Sequence, residues 1–255
     1  MMHKMMPTRI VAVVGFKGAG KTRLIENLVG YLSSKGYRVG TLKHSTPHHP
    51  LDTPGKDTWR HREAGAEASA VIADGRAAIF IDRPLSLAEA LDALGPLDFV
   101  ILEGFKSVGY IPRILVIRTP SEVESLSNGL EVAIVSQIPL EGLDVDVSTL
   151  GFSDVERLAS IVEEKAIPLL PGFDCGGCGY ESCRELALAT MRGEADPYRC
   201  VHLQAGDVAL RVDGRRVPLN PYVRSVFKGV LRALVATLKG CETARRIEIQ
   251  VEGDG

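Results

Sequence analysis

The chain has 255 residues, 45% of them hydrophobic, enough apolar material for one large domain or two smaller ones. Its 30 Lys and Arg against 32 Asp and Glu leave a net charge of −2, which argues against a general nucleic-acid binder or a polybasic membrane patch. No apolar run approaches the roughly 20 residues of a membrane span, and Met1-Met2-His3-Lys4-Met5-Met6 leads into the first strand without a small-residue cleavage site, so a cytoplasmic protein is expected.

Arg9-Ile10-Val11-Ala12-Val13-Val14 is a short β-branched run that reads as a buried parallel strand. Gly15-Phe16-Lys17-Gly18-Ala19-Gly20-Lys21-Thr22 follows and spells G-x-x-x-x-G-K-[ST], the P-loop. Leu24, Ile25, Leu28, Tyr31 and Leu32 then recur at helical spacing, and Gly36 closes the helix. Strand, glycine loop and helix stand in the order that phosphate binding demands. Backbone N–H groups around Gly15, Gly18, Ala19 and Gly20 converge on phosphate oxygens, and the helix N-terminus adds partial positive charge. Lys21 is expected to reach the β/γ phosphates and the Thr22 hydroxyl to bind Mg²⁺.

Further strands are expected over 38–43, 68–73, 77–81, 98–102, 113–118 and 131–136, with helices over 21–34, 57–65 and 86–94. Ser86-x-x-Glu89 and Ser153-x-x-Glu156 read as capping boxes, the second opening a helix near 154–165. The alternation predicts an α/β layer fold, a P-loop NTPase with a mostly parallel sheet. Within it, Asp98-Phe99-Val100-Ile101-Leu102-Glu103-Gly104 puts Glu103 at a strand's carboxyl end, where open α/β sheets bind ligands and a carboxylate can help hold Mg²⁺. After Lys43-His44, a polar loop runs through Asp52, Pro54-Gly55-Lys56-Asp57 and Thr58, a place for ligand contacts or for a switch on nucleotide state. Asp57 also suits the N-cap of the following helix. The histidines 44, 48, 49 and 61 are too irregularly spaced to define a metal site.

Pro168, Pro171 and Gly172 interrupt the pattern and mark an expected boundary. All five cysteines lie beyond it, and Cys175-x2-Cys178-x4-Cys183-x16-Cys200 is tightly organised. In a cytosolic nucleotide-binding protein, close cysteines point to metal rather than to disulfides. Four thiolates suit tetrahedral zinc or an iron–sulfur cluster, although the two matched C-x2-C pairs of a zinc ribbon are missing. Cys183 opens an apparent helix through Leu186, Leu188, Ala189 and Met191, while Cys241 stands apart. Beyond the cysteines, Asp213-Gly214 between Val208–Val212 and Arg215–Leu219 signals a hairpin. An amphipathic helix over about 221–238 and an edge strand over Arg246–Val251 complete a small α+β unit.

The P-loop, Lys43-His44, Asp52, Pro54-Gly55-Lys56-Asp57, Ala64-Gly65-Ala66 and Glu103-Gly104-Phe105-Lys106 together resemble the molybdopterin-guanine dinucleotide biosynthesis protein B family over about residues 8–165. Arg113–Arg118 fits a later strand of that pattern, and Thr58 stands where the family usually has serine. The resemblance implies a GTP-binding accessory protein and weak GTPase of molybdenum or tungsten cofactor assembly. It implies a molybdopterin guanylyltransferase and molybdoenzymes as partners, a homodimer, no nucleic acid and no membrane. Asp52, Lys56 and Asp57 join the P-loop as nucleotide-contacting residues, and Lys21, Thr22 and Glu103 carry the chemistry. No Asn-Lys-x-Asp guanine-reading motif is present, so the residues themselves leave GTP and ATP both open.

The cysteine segment resembles the four-cysteine [4Fe-4S] module of corrinoid iron–sulfur proteins and some membrane electron-transport subunits, with zinc as the alternative. The expected organisation is a P-loop domain over 1–167, an iron–sulfur module over 168–203 and the small α+β unit over 204–255. Two other functions fit parts of the chain: an iron–sulfur redox regulator or electron-transfer module coupled to nucleotide state, and a small-molecule kinase.

Overall fold

The computed structural model describes residues 8–45, 51–138, 145–203, 208, 210–212, 215–217, 219, 221–241, 247 and 249. The chain divides into two compact units, Met1–Leu169 and Leu170–Gly255.

In the first unit, β1 (Arg9–Val14) feeds α1 (Lys21–Ser34), and β2 (Val39–Lys43) follows. Then come α2 (Asp57–Glu63), β3 (Ala68–Ala73), β4 (Arg76–Ile81), α3 (Leu87–Ala93) and β5 (Phe99–Glu103). The unit ends with β6 (Arg113–Ile117), α4 (Glu122–Leu126), β7 (Glu131–Ser136), β8 (Ser148–Gly151), α5 (Val155–Lys165) and β9 (Ile167–Pro168). The main sheet runs β2-β5-β1-β6-β7-β8 with every pair parallel, and β9 adds antiparallel to the start of β1. From β1 the chain first builds outward on one side, to β2 and β5, and then on the other, to β6. The carboxyl ends of β1 and β5 therefore lie where open α/β sheets bind ligands.

Both faces of the central strands are covered, which is why they read as unbroken apolar runs. Ile10, Ala12 and Val14 alternate onto one face with Val100, Leu102, Leu115 and Ile117, where Leu87 and Leu91 of α3 and Val123 of α4 pack. The intervening residues of β1, Val11 and Val13, point to the other face. Helices α1 and α5 lie against each other and bury Leu24, Leu28 and Leu32 with Leu158 and Val162. Arg113 is the charged exception, only 3% exposed. Its guanidinium donates to the carbonyls of Leu126, Val108 and Lys106, so a single side chain pins the loop after β5 to the end of α4.

Three local departures from expectation have physical causes. Strands β3 and β4 do not enter the main sheet but pair antiparallel with each other, turning through Asp74 and Gly75, both at positive φ. Helix α4 and strands β8 and β9 were not anticipated, being too short to show a period. The Ser86 capping box forms, but α5 begins from Asp154 without a side-chain cap. Asp154 instead accepts the N–H of Gly151, so Ser153-x-x-Glu156 is not a box.

The second unit carries α6 (Cys183–Met191), a 3₁₀ turn at Pro197–Arg199, the pair β10 (Leu210–Val212) and β11 (Arg215–Val217), and α7 (Pro221–Ala236). Leu210 faces Val217 and Val212 faces Arg215, the register of a hairpin closed by two residues. Those two residues, Asp213-Gly214, and most of the expected strand Arg246–Val251 lie outside the described residues. No helix of the described residues is long and apolar enough to cross a membrane.

Candidate functional site

The glycine loop leaves β1 at Gly15 and enters α1 at Gly20. Gly15 passes so close to β6 that a Cβ there would lie 2.4 Å from the Val116 carbonyl oxygen. Gly18 and Gly20 are needed for conformation instead, at φ 78° and 97°. Helix α1 has no side-chain cap and no acidic residue in its first turn, so its leading N–H groups and positive dipole end are left to the loop. A Gly15→Ala substitution is expected to destabilise the first unit by about 3 kcal/mol, because the backbone itself must move to admit the methyl. Urea denaturation checks it, with a midpoint unchanged from wild type as the contrary result.

Lys21, the first residue of α1, folds back over the loop and donates to the carbonyls of Gly15 (3.2 Å) and Phe16 (2.9 Å). Burial pushes its pKa below the ordinary lysine value; Glu103 opposes that shift, and the charges of Lys106 and Lys43 add to it. An arriving polyphosphate has the opposite sign and relieves the crowding of these cations. Glu103 ends β5, in register with Val13 of β1 and Lys43 of β2, and pairs with the Lys43 ammonium at 3.1 Å. P-loop, Lys21 and Glu103 are thus brought together. Thr22 lies exposed in the first turn of α1. Thr22 and Glu103 offer the hard oxygen donors that Mg²⁺ takes.

Asp52 is engaged by residues of its own loop and of α2. The Asp52 carboxylate accepts from the Thr58 hydroxyl (2.9 Å), the Thr53 N–H (2.7 Å) and Arg62 (3.2 Å). Burial opposes it, but these bonds hold its carboxyl below the usual carboxylate range. Arg62 continues to Asp82 and lies over the Phe80 ring, tying the loop to the β3–β4 hairpin. Lys56 and Asp57 are exposed at the start of α2, where Lys56 rather than Asp57 takes the N-cap position. His48 and His49 lie outside the described residues.

Several residues around the loop escaped notice in the sequence. Lys106 stacks over the Phe16 ring at 4.5 Å. Phe152, just past β8, comes within 2.8 Å of where a Gly20 Cβ would stand, with the Gln137 amide at 3.2 Å. Only the position of both residues at strand carboxyl ends could have flagged them, and β8 itself was too short to recognise.

The four cysteines Cys175, Cys178, Cys183 and Cys200 line one small hollow walled by Pro171, Leu186 and Val201. Cys183 and Cys200 are buried, Cys178 half-buried and Cys175 exposed. Local folding explains the placement. Asp174, at φ 46°, accepts the Cys183 N–H at 2.6 Å, and the Ser182 hydroxyl caps α6 through Glu185. A Cβ at Gly177 would lie 3.2 Å from Cγ2 of Val201, a tight contact that a larger residue could meet only if Val201 shifted. Burial pushes the Cys200 pKa up, while the nearby backbone N–H groups of His202 and Leu203 pull it down; Cys183 and Cys178 add to the rise. Such N–H donors suit a metal-bound thiolate. Four thiols lining one hollow are a donor set that suits either an iron–sulfur cluster or a tetrahedral zinc.

Two segments of the chain match known families. Residues 10–137 match the family described as "Molybdopterin guanine dinucleotide synthesis protein B", and residues 170–202 match the family described as "Putative Fe-S cluster". A "Putative molybdopterin-guanine dinucleotide biosynthesis adapter protein" of Methanocaldococcus jannaschii is 28% identical across 96% of this chain and 97% of its own length. The "Molybdopterin-guanine dinucleotide biosynthesis adapter protein" of Escherichia coli is 32% identical, over 61% of this chain and 91% of its own. The crystal structure of Bacillus subtilis MobB superposes with a TM-score of 0.53 at 27% identity, covering 60% of this chain and 97% of that one.

Proposed function

Because this chain belongs to the molybdopterin guanine dinucleotide synthesis protein B family, we propose that it serves molybdenum or tungsten cofactor biosynthesis in the cytoplasm as a GTP-binding accessory protein. Its partner is the guanylyltransferase that attaches guanosine monophosphate to molybdopterin, with molybdoenzymes as further clients. The observation that carries this reading is the Lys21 ammonium poised over the glycine loop beside Glu103, in a chain of this family. Gly15, Gly18, Ala19 and Gly20 offer backbone N–H groups to the phosphates, and Lys21 neutralises their charge. Thr22 and Glu103 would hold Mg²⁺, which supplies charge neutralisation across the β and γ phosphates. The sequence carries no motif for an arginine finger or a water-positioning glutamine, which supports slow hydrolysis. Lys56 and Asp57 face solvent from the loop after β2 and carry nucleotide state outward, with Asp52 as the buttress that fixes the loop's shape.

We further propose a homodimer. The β3–β4 hairpin supports it: Val71, Ile72 and Ile79 are 48%, 81% and 67% exposed on a two-stranded sheet. A two-stranded ribbon is marginal in water alone, and a second copy would cover it. The cysteine hollow supports a second role, in which a [4Fe-4S] cluster held by Cys175, Cys178, Cys183 and Cys200 reports redox state alongside nucleotide state.

Titrating the full chain with GTP and ATP, and assaying guanylation by the partner enzyme with and without it, tests the first reading. A strong preference for ATP together with no effect on guanylation would sink it.

A further inference from the structure

We propose that His202 is a positioning residue for the metal centre: its Nε2–H donates to the sulfur of Cys175 and raises the reduction potential of the cluster that the four cysteines hold. This rests on the iron–sulfur reading of the cysteine hollow. The Nε2 atom lies 3.4 Å from the Cys175 sulfur, within hydrogen-bond range for sulfur. Cys175 is also the exposed residue of the four. The imidazole is held edge-on to the Phe173 ring, with centroids 5.2 Å apart, so its direction is set by packing.

Which ring nitrogen carries the proton follows from the two neighbours. A cysteine sulfur bound to iron is a thiolate and only accepts. On the other side, His202 Nδ1 is buried without a partner among the described residues, and so is Nε of Arg224. Arg224 is anchored next door, donating to the carbonyls of Val201 and Leu219. The tautomer with Nδ1 bare and Nε2 protonated serves the thiolate and leaves no buried N–H of the ring without an acceptor. A hydrogen bond to a ligand sulfur withdraws negative charge from the cluster and favours the reduced state, which carries one more electron.

The test uses the full chain, reconstituted anaerobically with iron and sulfide, and reads metal content and the one-electron midpoint potential by electron paramagnetic resonance titration. His202→Leu is expected to retain the cluster and shift the oxidised-to-reduced ratio at the wild-type midpoint about tenfold toward oxidised, a fall of about 59 mV for one electron. His202→Gln, which keeps an N–H donor of similar reach, recovers part of the shift. If the leucine variant holds too little iron to titrate, His202→Asn replaces it, its amide being too short to reach the sulfur. Equal potentials for wild type and the variants that lack the donor overturn the role of His202 alone. A wild-type chain that takes up no iron and sulfide overturns the cluster reading and this assignment with it.

Discussion

Lys21→Ala should lower GTP affinity about 100-fold, equivalent to about 2.7 kcal/mol, while leaving the free protein's melting temperature nearly unchanged. The asymmetry follows from what the ammonium touches in each state. Without nucleotide it bonds two backbone carbonyls, of Gly15 and Phe16, at a partly exposed surface. Such bonds are each worth only about 1 kcal/mol net, since water replaces the donor. With nucleotide it meets phosphate oxygens in charge-assisted bonds, about twice as strong, at a point where Lys106 and Lys43 also press. Calorimetric titration gives the affinity directly. Thermal melting gives an independent readout: at a nucleotide concentration of about 100 times Kd the wild type gains about 2.7 kcal/mol, and the variant gains almost none. Retained affinity in the variant would mean that the glycine loop is not where the phosphates sit.

Much of this site is legible in the sequence because its constraints are local. Gly15 to Thr22 form one turn, and each glycine has its own reason, space at Gly15 and positive φ at Gly18 and Gly20. Strands β1, β5, β6 and β7 announce themselves because burial on both faces makes their interiors unbroken apolar runs, with polar residues only at the ends. What escaped is non-local. Phe152 and Gln137 reach the loop only because β7 and β8 stand on the far side of β6 from β1, an ordering no window of sequence contains. Asp52 looks like a ligand-facing acid in a polar loop, yet its partners Thr58 and Arg62 lie six and ten residues on and close the loop upon itself. The β3–β4 hairpin shows the reverse case. Asp74-Gly75 is as strong a two-residue turn signal as Asp213-Gly214, but the surrounding α/β alternation drew its strands toward the parallel sheet. His202 sits two residues after Cys200, and its meaning depends on Cys175 at 27 residues' distance.

Cys200→Ala should abolish iron binding, taking the reconstituted chain from about four iron atoms to fewer than one, and it should do so more completely than loss of the exposed Cys175. Cys200 is 3% exposed and lines the hollow together with Cys183 and Cys178. Water cannot enter easily to replace a missing ligand there, whereas at Cys175 solvent can supply one. Since metal affinity is folding free energy in a small unit of this kind, the variant's second unit should melt at lower temperature while nucleotide binding by the first stays intact. Cys241→Ala is the matched control, a cysteine outside the hollow, and should leave iron content untouched. Iron and sulfide analysis with a melting curve separates the outcomes. Zinc in place of iron, or four-iron content in the Cys200 variant, would remove the cluster from the account of this hollow.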